Sequence, residues 1–316
     1  MKKLVFIVNP VAKNGVSLKV WRRIERKLLD IPHEVYYSKE RKDAMNIAFS
    51  IAVSSSDPMT IVAVGGDGTI HEVINGVASF SHVTISYIPA GSGNDFARGF
   101  KLPSNPEKCL DLLLHMVDEK EEAYYDVGEF KIDKSEGYFV NSLGAGFDAL
   151  ISEKVNSSSI KKILNRIGLG KIVYAVFLIV ELFRYRPSTL YLTINGIQYT
   201  FDKAWFVTVS NQSYYGGGMK IAPQANPSDG EFDITVVHLI SRVKLLFAFI
   251  SVFWGGHTKF KEVKTFKGNQ ISIKSDIPIS VHTDGEAEGR TPVEINVRPR
   301  AWKLIKTVKN TDQITA

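Results

Sequence analysis

The stretch IVAVGGDGTIHEVINGV, from Ile61 to Val77, constrains the fold of this chain more than any other. Apolar, mostly β-branched residues lead straight into Gly65-Gly66-Asp67-Gly68-Thr69. Ile70, Val73, Ile74 and Val77 then recur at i, i+3, i+4 and i+7. A buried strand turns directly into an amphipathic helix. The same order appears elsewhere in the first 120 residues. LVFIV at 4–8 precedes the loop NPVAKNG, and residues 17–29 place Val20, Trp21, Ile24 and Leu28 on one helical face. EVYY at 34–37, a helix over 41–54, TIVAV at 60–64, a helix over 69–79 and VTISYIP at 83–89 continue it. This alternation predicts βαβ units and a mainly parallel sheet. In such sheets ligands bind beyond the carboxyl ends of strands, where the loops at 9–15, 65–69 and 91–93 all fall.

From about residue 124 the pattern changes. YYDVGEFKI, GYFVNSLG, STLYLTI, QYTFDKAWFVTVSN, EFDITVVHLI, QISIKS, PISVHTDG, PVEINVRP and AWKLIKTV read as strands separated by turn residues. Helices are expected at about 148–156, 160–184 and 242–254. Many short strands in succession predict an antiparallel sandwich or barrel. The expected architecture is an α/β domain over 1–130 and a β-rich domain over 131–300. A chain of 316 residues, 44% hydrophobic and 23% charged, can build both cores.

Cys109 is the single cysteine, so an intrachain disulfide and a cysteine zinc cluster are excluded. A reducing, cytoplasmic location is expected. Net charge is +6, which favours anionic partners. No helix-turn-helix or zinc pattern accompanies it, so nucleic acid is not expected. The first apolar run is cut short by Asn9-Pro10 and falls below the roughly 7–15 residues of a signal peptide. Ile172–Val180 and Leu245–Trp254 are apolar but shorter than the roughly 20 residues of a spanning helix. They read as buried or interface-facing helices. Residues 159–186 join apolar sequence to Lys161, Lys162, Arg166, Lys171, Arg184 and Arg186, either an ordinary packed helix or a dock on anionic lipid at the inner membrane face. A sandwich edge strand leaves pairing with a second copy open.

The first glycine loop ends at a helix N-terminus, which can hold phosphate. Thr69 and Glu72 fit the capping box T-x-x-E. No P-loop lysine is present; the acid Asp67 stands in the turn instead. It either bonds nearby N–H groups or meets the magnesium that accompanies a nucleoside triphosphate. The second loop, IPAGSGNDFARGF, offers Ser92, Asn94, Asp95 and Arg98. Asn94 or Asp95 can cap the helix or bond ribose or phosphate, and Arg98 can pair with an acid or neutralise phosphate. Late in the chain, Asp284-Gly285 stands between strand-like segments, a strong hairpin signal.

Together, NPVAKNG, GGDGTIHEVINGV and PAGSGNDFARG resemble the diacylglycerol kinase catalytic-domain family, in particular its soluble bacterial lipid kinases. NSLGAGFDA, SNQSYYGGGMKIAPQANPSDGEFDI, GGH and HTDGEAEG extend the likeness over essentially the whole chain. Ser92 stands where the family more often has Thr, which keeps the hydroxyl. The resemblance implies a phosphofructokinase-like α/β domain, a C-terminal β-sandwich and ATP in the cleft between them, with about 300–316 returning to the first domain. It implies that Gly66, Asp67, Gly68 and Thr69 cradle the nucleotide phosphates. Asn9, Pro10, Gly65, Glu72, Asn75, Gly91, Ser92, Asn94 and Arg98 would complete the nucleotide site. Asp67, Asp95 and Asp126 would support Mg2+ and its waters, and Asp229 a structural Mg2+. Asp284 would be the base for a lipid hydroxyl, with Glu286 close by. The expected activity is ATP- and Mg2+-dependent phosphorylation of diacylglycerol or a related lipid. A NAD kinase-like phosphotransferase and a non-catalytic nucleotide- or lipid-binding regulator are the alternatives.

Overall fold

The computed structural model describes residues 3–119, 122–133, 135–157 and 178–305. The chain divides into two compact units, one of Met1–Tyr125 with the segment from Arg300 onward, the other of Asp126–Pro299.

In the first unit β1 (Lys3–Val8), β2 (His33–Tyr37), β3 (Met59–Gly65) and β4 (Val83–Pro89) form a parallel sheet in the order β2-β1-β3-β4. Leu304, in the last described strand, joins the sheet beside Ile85. β3 and β4 are buried along their whole length, as befits parallel strands covered on both faces. The helices are α1 (Ala12–Ile24), α2 (Asp43–Ser54), α3 (Asp67–Val77), α4 (Asp95–Gly99) and α5 (Pro106–Glu119). Trp21 packs against Phe6 with ring centroids 5.0 Å apart, and Ile24, Leu28, Leu110 and Leu113 close the same core. Each such side chain contributes roughly 1.5–3 kcal/mol by leaving water.

Two helix starts differ from the sequence reading. The helix expected over 17–29 begins earlier and ends at Ile24, tightening into a 3-10 turn at Glu25–Leu28. Its first turn is broken, because Lys13, Asn14 and Gly15 have φ of 49°, 55° and 85°. α3 begins at Asp67 rather than Thr69, so Thr69 and Glu72 do not form the capping box. The Glu72 carboxylate instead accepts the backbone N–H groups of Lys42 (2.9 Å) and Ala44 (3.2 Å). It thereby caps α2, whose own N-cap, Lys42, has an ammonium that only donates.

The strand β5 (Glu122–Ile132) runs into the second unit. There follow β6 (Ser135–Phe139), β7 (Ser142–Gly146), α6 (Phe147–Ser157), helical residues 178–184, β8 (Ser188–Ile194), β9 (Ile197–Ser210) and β10 (Phe232–His238). Then come α7 (Arg242–Ser251), β11 (Val263–Gly268), β12 (Gln270–Ser275), β13 (Ser280–Thr283), β14 (Glu286–Arg290) and β15 (Val293–Ile305). The long β9 serves two sets of partners. Its first half pairs with β8, which leads to β12 and β15; Phe206–Ser210 lie between β7 and β10. Every one of these pairs is antiparallel. Phe139, Phe232, Leu192, Val207, Ile234 and Ile273 belong to the buried core.

GYFVNSLG, read as one strand, is two, interrupted at Val140–Asn141. β11 and β14 escaped the sequence reading. β11 is lysine-rich and pairs with β10, alone among the described strands, and β14 is polar and exists as the return arm of a hairpin. PVEINVRP and AWKLI, the described part of AWKLIKTV, are one strand, β15. Of the helix expected over 160–184, residues 160–177 lie outside the described residues, and with them most of the candidate lipid dock. Among the described residues no helix is long and apolar enough to cross a membrane.

Replacing Glu72 with Ala should lower stability by about 1 kcal/mol, the usual loss of a helix cap, measured by urea unfolding; an unchanged midpoint would show that α2 does not depend on it. Burial pushes the Cys109 thiol up to about 12, and its Sγ donates to the Pro103 carbonyl at 3.0 Å. Native protein at pH 8 should resist iodoacetamide while urea-unfolded protein reacts; equal rates would contradict the burial.

Candidate active site

In the first unit three loops meet at the carboxyl ends of β1, β3 and β4. The Asn9 amide donates to Thr69 Oγ1 at 3.2 Å, and its oxygen accepts the Val11 N–H at 3.2 Å. The first loop is thereby tied to the start of α3. The glycine loops lie back to back: a Cβ on Gly91 would fall 2.4 Å from the Gly66 Cα, so only glycine allows the contact. Ala90 N–H donates to the Gly65 carbonyl at 2.7 Å, and the buried Tyr87 hydroxyl donates to it at 3.0 Å. Burial, reinforced by the charge of Asp67, holds that phenol well above its ordinary pKa, so it stays a donor.

The acid of the first loop holds the second. Asp67 Oδ1 accepts the Phe96 N–H at 2.9 Å, at the start of α4. Asn94, at φ 53°, turns its oxygen back on the Gly91 N–H (3.1 Å) and the Tyr87 hydroxyl (3.3 Å). Asp95 is buried and pairs with Arg98 at 2.6 Å. Gly68 and Ser92 are exposed, and Asn9, Pro10, Gly66 and Asp67 are half-buried. The first N–H groups of an α-helix lack intrahelical partners, and here they start at Asp67. Ten residues named from the sequence thus gather here: Asn9, Pro10, Gly65, Gly66, Asp67, Gly68, Thr69, Gly91, Ser92 and Asn94. Glu72 faces α2 as its cap. Asn75 bonds the His71 carbonyl one turn back on α3 at 2.9 Å.

In the second unit Asp284 and Gly285, at φ 49° and 88°, form the two-residue turn between β13 and β14, the hairpin that Asp-Gly favours. The Asp284 carboxylate accepts three backbone N–H groups: Val140 at 2.9 Å, Asn141 at 2.8 Å and Ser142 at 2.9 Å. This is why the strand breaks there. Glu286 opens β14 opposite Thr283. The buried His282 accepts the Gly285 N–H on Nδ1 at 3.2 Å, which leaves Nε2 to face Asp148 Oδ2 at 3.3 Å. Asp126 is buried, and its carboxylate accepts the Gly230 N–H at 2.8 Å. Asp229 is paired with Lys267 at 3.1 Å. Among the described residues no three His, Cys, Asp or Glu side chains gather as a metal cage.

Asp148 also marks one wall of a cavity of about 50 Å³. Its other walls are mainly apolar, with Phe147 and Ile151 of α6, Leu182, Phe206, Met219 and Leu245 among them and His257 an exception. Tyr215 lines it and stacks parallel to His282, ring centroids 6.5 Å apart. The sequence alone marks neither Asp148 nor His282 as functional, although they lie within NSLGAGFDA and HTDGEAEG. Nor does it mark the buried amides Asn141, Asn211 and Gln212. Asn211 donates to the Asp126 and Val140 carbonyls at 3.0 Å each, and Gln212 to Asn141 Oδ1 at 2.9 Å.

A parallel α/β unit with glycine loops at its strand ends, followed by a β-sandwich, is the architecture of the lipid and NAD kinases. The family model for the diacylglycerol kinase catalytic domain matches residues 3–125, and that for the YegS C-terminal NAD kinase beta sandwich-like domain matches residues 141–306. The chain belongs to this diacylglycerol kinase family. It is 32% identical over 312 residues to a Bacillus subtilis protein named "Putative lipid kinase YtlR", covering 96% of this chain and 99% of that one. It is 29% identical over 310 residues to a diacylglycerol kinase of Mycobacterium tuberculosis, covering 96% and 95%. The crystal structure of a "putative diacylglycerol kinase" from Bacillus anthracis superposes with a TM-score of 0.77 at 25% identity, covering 97% and 95%. A NAD kinase from Archaeoglobus fulgidus shares the fold alone, with a TM-score of 0.53 at 14% identity, covering 97% and 94%.

Asp284→Asn leaves one oxygen for three donors and turns an NH2 toward a backbone N–H. It should cost roughly 1–3 kcal/mol, as for an unsatisfied buried donor, seen as a lower thermal midpoint; wild-type unfolding would remove Asp284 as an anchor of residues 140–142.

Proposed function

We propose that this chain is an ATP- and Mg2+-dependent lipid kinase that transfers the γ-phosphoryl group to the hydroxyl of diacylglycerol or a related lipid. The observation that carries the reading is the apolar cavity of the second unit, which reaches Asp148, the partner of His282 on the Asp284 hairpin. An acceptor with a hydroxyl on a greasy body matches such walls, because pockets are lined by what they bury, with few polar groups to orient it. A dinucleotide acceptor would leave its charged groups against Phe and Leu, at a desolvation cost.

ATP is assigned to the first unit. The N-terminus of α3 offers the N–H groups of Gly66 to Gly68 and a partial positive charge to phosphate, the Thr69 N–H being held by the Gly66 carbonyl at 3.0 Å. Asn9, Pro10, Gly65, Gly91 and Ser92 shape the loops around it, with Asn94 bracing the second loop. Arg98, paired with Asp95, adds positive charge at its far end. A protein of the same fold, the Archaeoglobus fulgidus NAD kinase, was solved in complex with ATP. Mg2+ takes oxygen ligands and commonly keeps one or two carboxylates, with phosphate and water supplying the rest. Asp67, a half-buried carboxylate at the phosphate end of α3, fits that need, and Asp95 lies on the loop it holds. The ion supplies neutralisation of phosphate charge in the transition state. Asp126 and Asp229 brace the turn before β10, which gives them a structural part.

Asp284 serves as the base, held in place by three backbone donors, with Glu286 beside it. A carboxylate is a weak base for an alcohol. It suffices where the transition state is loose and positioning dominates. Its contribution is then roughly 10²–10⁴-fold.

The test is transfer of labelled γ-phosphate from Mg2+-ATP to a panel of lipid alcohols in mixed micelles. NAD is included, and Asp284→Asn is assayed beside wild type below its thermal midpoint. One labelled lipid is expected, with the variant slower by about 10²–10⁴-fold at unchanged ATP affinity. Labelled NAD would overturn the lipid reading. ATP binding with no labelled product would leave a regulator.

A further inference from the structure

Beyond Arg242 and Lys244 in its first turn, the helix α7 is mainly apolar on both its inner and outer faces. Its inner face, Leu245, Ala248, Phe249 and then Val252, lines the cavity. On its outer face, continued by the 3-10 turn Val252–Trp254, Val243, Phe247, Ile250 and Trp254 fall at i, i+4, i+7 and i+11 and are 63%, 64%, 56% and 66% exposed. Residues 178–184 repeat the arrangement: Leu178 and Leu182 line the cavity, while Ile179 and Phe183 are 51% and 63% exposed. Arg242 on α7 fastens the two elements, donating to the Leu182 and Tyr185 carbonyls at 3.0 Å and 3.2 Å. Single exposed apolar residues are ordinary, but a continuous stripe marks a contact surface.

The charge around the stripe selects the partner. From Ser241 to Lys261 the sequence holds Arg242, Lys244, Lys259 and Lys261 and no acid. Lys259 and Lys261 are exposed just beyond Trp254, as are Arg184 and Arg186 beyond Phe183. Lys244 is paired with Glu262 at 2.8 Å, Arg242 is bonded to the two carbonyls, and Arg184 lies 3.9 Å from Glu181; Lys259, Lys261 and Arg186 stand exposed at the rim. An apolar helix face ending in Phe253-Trp254 and rimmed by Lys and Arg matches the boundary of an anionic bilayer, where indoles settle among headgroups and cations meet phosphates. We infer that the outer faces of α7 and of residues 178–184 seat this chain on an anionic bilayer. This inference rests on the lipid-kinase reading.

The experiment is pelleting of the full chain with vesicles, without nucleotide. Phosphatidylcholine vesicles are compared with mixtures of phosphatidylcholine and phosphatidylglycerol. Wild type should bind the mixed vesicles, and binding should weaken as salt rises. Phe247→Glu with Ile250→Glu should lower the partition about tenfold or more, with an unchanged unfolding curve; the milder Phe247→Ser with Ile250→Ser should lower it less. Lys259→Gln with Lys261→Gln should flatten the salt dependence. Wild type free of the vesicles, or a Glu variant that binds as wild type does, would overturn the proposal. So would a wild-type dimer in sedimentation that the Glu variant dissociates while vesicle binding persists, because the face would then join two copies. Turnover on lipid in detergent micelles tests the kinase reading separately, since micelles deliver substrate without a bilayer. The Glu variant should keep that turnover.

Discussion

A backbone N–H that leaves a strand or helix without a partner must find an acceptor or stay in water. The loops that carry the motifs of this chain meet that need with carboxylates from other loops. Asp67 receives Phe96, and Glu72 receives Lys42 and Ala44. Asp126 receives Gly230, and Asp284 receives Val140, Asn141 and Ser142. Ionised acceptors make hydrogen bonds about twice as strong as neutral ones, and a carboxylate can take several donors at once. The acids that look catalytic in the sequence are therefore also the pins of the loops that present them. In a kinase of this family, that coupling ties the position of an acid to the shape of the loop around it.

The second unit combines such polar fastening with an unusually apolar periphery. Glu181 is buried and held by Lys154 at 2.7 Å, which joins residues 178–184 to α6. Trp205 donates to the Ile240 carbonyl and lies under Arg242. These fixed points let α7 and residues 178–184 expose apolar side chains without collapsing onto the cavity they line. A chain with no apolar partner would be expected to bury such residues or lose them to charge; here they remain on the surface, with cations at the rim.

Much of this was legible in the sequence because it is local. The period-3.6 face of Ile70, Val73, Ile74 and Val77, the uninterrupted apolar strands and the glycine loops require no knowledge of what lies opposite. The hairpin at Asp284-Gly285 was equally readable, since both residues tolerate left-handed backbone. What was misread depended on distant partners. Glu72 fits a capping box by spacing, yet its carboxylate caps another helix thirty residues upstream. β14 is too polar to announce itself and forms because β13 pairs with it. The break at Val140–Asn141 is set by a carboxylate more than 140 residues away.

The sequence by itself determined the alternation of strands and helices, the three loops at strand ends and the family to which they belong, because spacing and side-chain chemistry act over a few residues. Only the tertiary structure decided what each acid holds, that His282 and Asp148 face each other, and that an apolar cavity opens beside them. Those facts come from side chains far apart in the chain arriving within hydrogen-bond or van der Waals distance. That proximity is set by the packing of whole strands and helices, and no local pattern encodes it.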